Sequence, residues 1–591
     1  MCAHYGVVQP LLTDFYQLTM SYGYWKAGKA DEPAVFEVFF RKNPFQGEFT
    51  IFAGLSDCIE YLESFKFSAE DIAYLKQAMP TCTEEGFFDY LVNLRLSSFS
   101  LWSVEEGSAI FPREPIIRVE GPVLVCQLLE TTLLNLVNFA SLIATNAARF
   151  RLAAGPDKKL FEFGLRRAQG PDGGLSASRY AYLGGYDGTS NVLAAKMYGI
   201  PVVGTHAHSF ISAYQSNEGK KSIVTDSPDD DERRLNQRAN PERLPQSELE
   251  RPYGKKGELS NGLAIASSGG DANDTFLDLH SEPIQLDRFV GRCTHWSERL
   301  TRLLNYAADQ VHQGELVAFA NYAYAFPTHF VGLLDTYDVL RSGLPNFCAV
   351  SLALHEYGHQ AVGVRIDSGD LAFLSLRIRE AFKNISDCYN LPWFKDLRIL
   401  VSNDLNEETL LSLNHQGHSI NAFCVGTNLV TCQKQPALGC VYKLVEISGH
   451  PTMKLSAVVD KVTLPGSKQV YRLYSKCGTA LLDLLQRVGE PTPKVGERVL
   501  CRHPSEASKR AFVVPARVEE TLKLFWKDGK LTRSLPTLQQ SRERVQQELA
   551  TLRSDYKRPL NPTPYKVSLS EELYNFTFEL WLRMTPIAEL T

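Results

Sequence analysis

A chain of 591 residues is several times the usual domain length of roughly 100–200 residues, so two or three packed units are expected. Its 44% hydrophobic and 22% charged fractions are those of a folded globular protein and exclude a disordered chain. With 62 basic against 67 acidic residues, a formal charge of -5 and no long basic run, nucleic acid and anionic membrane are excluded as partners, leaving small-molecule substrates.

The start, Met1 to Gly6, carries no basic segment followed by an apolar run, so no secretory signal is expected and the cytosol is the expected compartment. Residues 1–125 read as an N-terminal α+β layer, with an amphipathic helix over Ala69 to Met79 and strands at Ala34 to Phe40 and Ile116 to Val119. Gly121-Pro122 marks a turn and a domain border. The apolar stretch Pro122 to Phe150 is interrupted by Gln127, Glu130, Asn135, Asn138 and Asn146, which makes it a buried helix rather than a membrane span of about 20 apolar residues.

Residues 126–435 change to short apolar runs followed by helical segments: Leu160 to Phe163, Pro201 to Gly204, Val331 to Asp335, Val362 to Asp367, Leu397 to Ser402 and Ala422 to Gly426. Repeated strand-then-helix units give a parallel sheet, and strands that run into polar residues at their C-terminal ends point to an irregular β/α barrel with its active site there. Within it, 217–285 lose apolar periodicity around Asp226 to Glu232 and several prolines, and read as a mobile polar insertion. Residues 436–591 read as strands and turns that pack back on the N-terminal layer and end in a helix from Glu571 to Met584. Twelve cysteines without a Cys-x-x-Cys pair fit reduced thiols, mostly in the core.

Five motifs carry chemistry. His355-Glu356-Tyr357-Gly358-His359 matches the zinc-hydrolase string, but Gly358 stops the helix and takes His359 off the helical face, leaving solvated helix-end residues. Arg365-Ile366-Asp367-Ser368-Gly369-Asp370 ends a buried strand with a guanidinium suited to a carboxylate or phosphate and aspartates suited to ribose hydroxyls or hydrated Mg²⁺; a structural Arg365–Asp367 ion pair is equally open. Cys424-Val425-Gly426-Thr427-Asn428 is a strand ending in a Gly-Thr turn, which is either a phosphate cradle or a plain β-to-α turn. Phe163-Gly164-Leu165-Arg166-Arg167, followed by a glycine-rich loop over Gln169 to Gly174, can hold a flat ring and an anion, or else Phe163 is core and the arginines are surface pairs. Gly204-Thr205-His206-Ala207-His208-Ser209 places Thr205 and His208 at a strand end near a helix start, where two histidines and a threonine are either functional or structural.

Together with Leu12 to Met20, Asp335-Thr336-Tyr337, Ser402-Asn403, Val441 to Leu444, Lys454-Leu455-Ser456 and Leu464 to Lys468, these stretches follow the order of motifs in nicotinate phosphoribosyltransferases, and the sequence resembles that family over most of its length. The resemblance implies a type II phosphoribosyltransferase fold and a homodimer in which each active site borrows the segment around 12–20 from its partner. It implies that Tyr16 stacks on the pyridine ring in trans and that Phe163 supplies the facing surface. Arg365 and Thr205 would hold the nicotinate carboxylate. Mg²⁺ or Mn²⁺ with Arg166 would meet the pyrophosphate of phosphoribosyl pyrophosphate, Asp367 the ribose, and Gly426-Thr427 the 5′-phosphate. It also implies a ligase-type coupling in which ATP phosphorylates His208; His206 receives no role, and no protein ligand of the metal is assigned.

Three rivals remain on the sequence. Nicotinamide phosphoribosyltransferases place an aspartate against the carboxamide where this chain has Gly188-Thr189-Ser190-Asn191, with no acid to oppose a carboxylate. Quinolinate phosphoribosyltransferases are much shorter chains. A catalytically silent paralogue is opposed by intact Tyr16, His208, Arg365 and Asp367.

Overall fold

The computed structural model describes residues 7–214, 276–280, 282–456 and 461–585. Most of the insertion expected over 217–285 therefore lies outside the described residues. At its described end Phe276 lies on Trp296 with ring centroids 4.8 Å apart and Leu279 is buried, while Asp278, His280 and Glu282 are exposed. The chain divides into two compact units, Met1–Gly204 with Ile366–Arg377 and Arg398–Thr591, and Thr205–Arg365 with Ile378–Leu397.

In the first unit a seven-stranded sheet draws on both ends of the chain, with spatial order His450–Pro451, Cys440–Ile447, Pro33–Phe40, Ile117–Pro122, Ser100–Ser103, Lys523–Lys527 and Lys530–Leu531. Pro33–Phe40 is central because its alternate residues Ala34, Phe36, Val38 and Phe40 are all buried, while antiparallel register sets Val38 between Tyr442 and Ile117. Glu37, on the other face, is also buried and is answered by Lys468 at 2.9 Å. A second, six-stranded sheet gathers Arg510–Val513, Val499–Arg502, Val567–Leu569, Ala480–Arg487, Lys468–Tyr474 and Arg517–Glu520, and the helix Glu571–Met584 follows the third of these in the chain.

The stretch expected as one buried helix is two, Val123–Leu128 and Glu130–Ala154. Among the described residues no helix is long and apolar enough to cross a membrane. Its polar interruptions serve the neighbouring backbone: Ser141 and Thr145 accept hydrogen bonds from the N–H groups of Ala53 (3.0 Å) and Ile51 (2.8 Å), and Asn146 donates to the carbonyl of Asn428 (2.9 Å). Gly54, with φ 102°, brings the chain so close that a Cβ there would sit 2.4 Å from the Leu136 carbonyl oxygen.

The same unit holds four parallel strands in the order Gly188–Thr189, Lys159–Glu162, Ala422–Val425 and Arg398–Val401. The strand expected at Pro201 to Gly204 is reduced to a single bridge from Val202 to Thr189. Pro201 has no N–H to give to a ladder, and Val202 is 61% exposed, so nothing favours further pairing. In the second unit Val331–Leu333 runs parallel to Gly363–Ile366, whose last residue belongs to the first unit, and helices Leu286–Leu304, Gln313–Ala325 and Leu344–Glu356 pack on one another.

Candidate active site

In the second unit the segment after Gly204 brings the predicted residues into two short polar contacts. Thr205 Oγ1 accepts a hydrogen bond from Arg365 Nη1 at 2.8 Å, and the buried Nε of the same guanidinium has no partner among the described residues. An unpaired, buried guanidinium N–H costs free energy until a ligand oxygen meets it, and the Thr205 contact fixes the direction in which that edge points. His208 opens the helix His208–Ser212; its Nδ1 lies 3.0 Å from Thr336 Oγ1 and its Nε2 4.0 Å from Asp335 Oδ1. The imidazole is 43% exposed while the Asp335 carboxylate is 4% exposed, so both ring nitrogens face protein groups and part of the ring reaches solvent.

His206 is a core residue. Its ring packs on Tyr322 (4.8 Å), Phe210 (5.7 Å) and Phe319 (5.9 Å), and burial with the nearby Arg365 cation lowers its pKa to about 4. A neutral ring in that apolar nest cannot serve as a charged ligand at neutral pH. Glu315, also in this unit, accepts from Ser342 (2.5 Å) and Asn346 (3.1 Å); burial, reinforced by Asp335 and Asp338, raises it to about 7.

The first unit holds the remaining residues. Phe163 follows the strand Lys159–Glu162, donates its N–H to Val425 (2.8 Å) and packs half-buried on Leu400, Ala422 and Cys424. The Gly426-Thr427 turn adjoins it: a Cβ on Gly426 would lie 3.4 Å from the Phe163 carbonyl oxygen. Arg166 and Arg167 form a 3-10 turn, Leu165–Arg167, with exposed side chains. The glycine-rich stretch expected as a loop begins a helix, Gly170–Leu183, because Pro171 is pre-set for a first helical turn and Gly170 absorbs the positive φ of 74° before it. Asp367 is half-buried at the strand end, whereas Asp370 is spent locally, accepting from the Phe373 N–H (3.0 Å) where the helix Leu371–Tyr389 starts. Tyr16, 47% exposed, lies on the helix Phe15–Lys26 with the exposed Phe15 and Met20, near Thr131 and Glu130.

Glu162 is the residue that the sequence reading overlooked. It is buried, and its carboxylate accepts from the Gly164 N–H, from Ser178 (2.8 Å) and from Thr189 (2.5 Å), tying the Phe163 turn to the Gly188–Thr189 strand. Its signal was an acid at an inward position of an apolar strand. The acid-free reading of Gly188 to Asn191 therefore has a buried carboxylate beside it, with both oxygens engaged in these bonds. Ser190 is half-buried, and its N–H donates to the Glu162 carbonyl (2.9 Å).

The His355 to His359 string makes no metal centre. Glu356 is not solvated as expected but buried, in a two-point pair with Arg292 at 2.6 and 2.8 Å. His355 lies among Phe276 and Trp393, and Gly358 leaves the helix with φ 80°. No group of three or more metal-ligating side chains occurs among the described residues.

Parallel strands followed by helices, with polar side chains at the strand ends in each unit, define a β/α enzyme. The fold recurs in the nicotinate-nucleotide pyrophosphorylase of Pyrococcus furiosus, at 18% identity with a TM-score of 0.53, covering 92% of this chain and 95% of that one. The crystal structure of human nicotinic acid phosphoribosyltransferase is similar at 41% identity with a TM-score of 0.76, covering 96% and 99%. The family models for the nicotinate phosphoribosyltransferase (NAPRTase) N-terminal domain and for the nicotinate phosphoribosyltransferase C-terminal domain match residues 11–138 and 467–577. A nicotinate phosphoribosyltransferase of Caenorhabditis elegans is 50% identical over 99% of this chain and 95% of its own, and the Homo sapiens enzyme is 42% identical over 98% of each. The chain belongs to the nicotinate phosphoribosyltransferase family.

Proposed function

We propose that this chain joins nicotinate to the phosphoribosyl group of phosphoribosyl pyrophosphate, forming nicotinate mononucleotide and pyrophosphate, with ATP and water consumed to ADP and phosphate. What carries the reading is the Arg365 guanidinium, aimed by Thr205 at 2.8 Å and left with an unpaired buried Nε, which is the donor set a carboxylate needs. The pyridine nitrogen supplies the electron pair that forms the bond to C1 of the ribose, and the C1–oxygen bond breaks with its pair going to pyrophosphate. Phe163 and Tyr16 would hold the ring, Asp367 the ribose, Gly426-Thr427 the 5′-phosphate and Arg166 the leaving pyrophosphate. Mg²⁺ or Mn²⁺ would neutralise charge on the pyrophosphate, which Arg166 would also meet.

His208 would take the terminal phosphoryl group of ATP, releasing ADP, and water would later cleave the phosphorus–nitrogen bond. The place of His208 at a helix start, partly exposed, with Thr336 at 3.0 Å from Nδ1 and the Asp335 carboxylate at 4.0 Å from Nε2 to orient the ring, supports that role. The exposed apolar run of Val7, Leu12, Phe15, Tyr16 and Met20 supports a homodimer that covers it. The test is a turnover assay with nicotinate, phosphoribosyl pyrophosphate and Mg²⁺, with and without ATP and with nicotinamide as competitor. Nicotinate should be turned over, ATP should accelerate it, nicotinamide should compete weakly, and His208→Ala should abolish the ATP hydrolysis. Retained, substrate-stimulated ATP hydrolysis in that variant would sink the role of His208; preference for nicotinamide would sink the substrate.

A further inference from the structure

A protein of net charge -5 carries, in its first unit, a cavity of about 650 Å³ lined by Arg113, His503, Lys509, Arg510 and Lys566, against the single acid Glu48. Burial raises the pKa of Glu48, and the Tyr565 N–H bonded to it opposes that shift. Lys509 is paired with Glu506 at 2.8 Å, and the exposed Arg510 and Lys566 add positive charge to the lining. Burial lowers the pKa of His503, with Glu506 opposing the shift and Lys509 and Arg113 adding to it. Arg113, Leu464, Pro504 and Ser505 also line an adjoining cavity of about 250 Å³, whose far wall is aromatic: Phe39, Phe578 and Trp581, the last two stacked 6.1 Å apart. Arg113, on the shared wall, has φ 71°, a left-handed conformation unusual for arginine, and is held there by its N–H on the Phe40 carbonyl at 2.7 Å. Volumes of this size suit a ligand rather than a water cluster, and none of the residues assigned to the candidate active site lines either cavity.

We propose that the two adjoining cavities form a second ligand site, for a nucleotide whose base lies on Phe578 and Trp581 and whose phosphates meet Arg113, Arg510 and Lys566. A flat base needs an apolar, stackable wall and a phosphate needs arginine or lysine donors, and the shared wall at Arg113 joins one to the other. Such a site lets a nucleotide report on the supply of pyridine or adenine nucleotides without entering the reaction. The source of the ligand, product mononucleotide or adenine nucleotide, is left to the arms of the experiment.

The test uses the full-length protein saturated with nicotinate and phosphoribosyl pyrophosphate and irradiated with 8-azido-ADP, with labelled peptides mapped by mass spectrometry. Label is expected on the helix Glu571–Met584 and should persist in the presence of those substrates. Protection by nicotinate mononucleotide and by ADP is compared, and the stronger names the source. The exposed pair Arg510→Glu with Lys566→Glu should weaken ADP binding roughly tenfold or more by calorimetry while turnover without nucleotide is unchanged, and Trp581→Ala should do the same. Label confined to other peptides, binding unaffected by charge reversal, or protection by inorganic pyrophosphate equal to that by ADP would overturn the site.

Discussion

Glu315 and His206 are buried in the same unit and are perturbed in opposite senses, so their effects on stability cancel over a window of pH. Glu315 is raised from 4.5 to about 7, and an acid raised by folding stabilises the fold below its unfolded value and loses that contribution as pH climbs to 7. His206 is lowered from 6.5 to about 4, and a base lowered by folding contributes above 6.5 and loses that contribution as pH falls to 4. Each displacement of about 2.5 pKa units corresponds to about 3 kcal/mol, so between roughly pH 4.5 and 6.5 one gain offsets one loss. Glu315→Gln keeps an oxygen for Ser342 and Asn346 and removes one of the two titrations, uncovering that of His206: the variant should lose about 3 kcal/mol on acidification from pH 7 to 4. His206→Phe keeps an aromatic ring among Phe210, Phe319 and Tyr322 and should show the mirror image, losing stability from pH 4.5 to 7. For a unit of this size about 3 kcal/mol moves the melting temperature by roughly 6–12 °C, readable by scanning fluorimetry across pH 4–8. A Glu315→Gln variant whose melting temperature follows pH as the parent does would refute the reasoning.

Arg365→Lys loses the planar fork and the Thr205 contact, and should raise the KM for nicotinate roughly 10- to 150-fold, as expected for hydrogen bonds to a charged group, with a smaller effect on the KM for phosphoribosyl pyrophosphate. Thr205→Val removes only the aiming contact and should cost about 1 kcal/mol, near fivefold in the same constant. If Tyr16 serves the partner's site, Tyr16→Ala co-expressed with His208→Ala should recover about a quarter of the parental activity through mixed dimers, whereas a site built within one subunit recovers none. Glu162→Ala strands the Gly164 N–H and two buried hydroxyls and should lower stability by about 3 kcal/mol or more, measured by urea titration, with Glu162→Gln intermediate.

Features encoded in local pattern were readable from the sequence. The strand Pro33–Phe40 follows from a nearly continuous apolar run broken by Glu37, and the helix Glu571–Met584 begins at Ser570, whose side chain accepts from the Leu573 N–H; both signals act over a few residues. The partners of His208 were visible only as a polar tripeptide, Asp335-Thr336-Tyr337, more than a hundred residues away; which strand end faces which is decided by sheet order. Glu356 and Glu162 were misjudged or overlooked for the same reason. A carboxylate is buried only when distant donors converge on it, here Arg292 in one case and Ser178, Thr189 and the Gly164 N–H in the other, and no short window of sequence shows that convergence.

The segment from Thr205 to His208 is short and is held at both ends. Thr205 is bonded to Arg365 on one strand, and His208 to Thr336, three residues beyond the end of the neighbouring strand. Those strands are in register, Leu333 opposite Arg365, and the Leu334 N–H donates to the Arg365 carbonyl at 3.0 Å. A phosphoryl group on His208 would bring roughly two negative charges against the buried Asp335 carboxylate. The repulsion can be relieved by moving the imidazole, yet a movement of His208 is transmitted through only two intervening residues to the threonine that aims Arg365. The arginine itself cannot follow freely, because its backbone is fixed in the sheet. If His208 takes a phosphoryl group and Arg365 holds the carboxylate, the two would be coupled through a four-residue tether rather than through a long path.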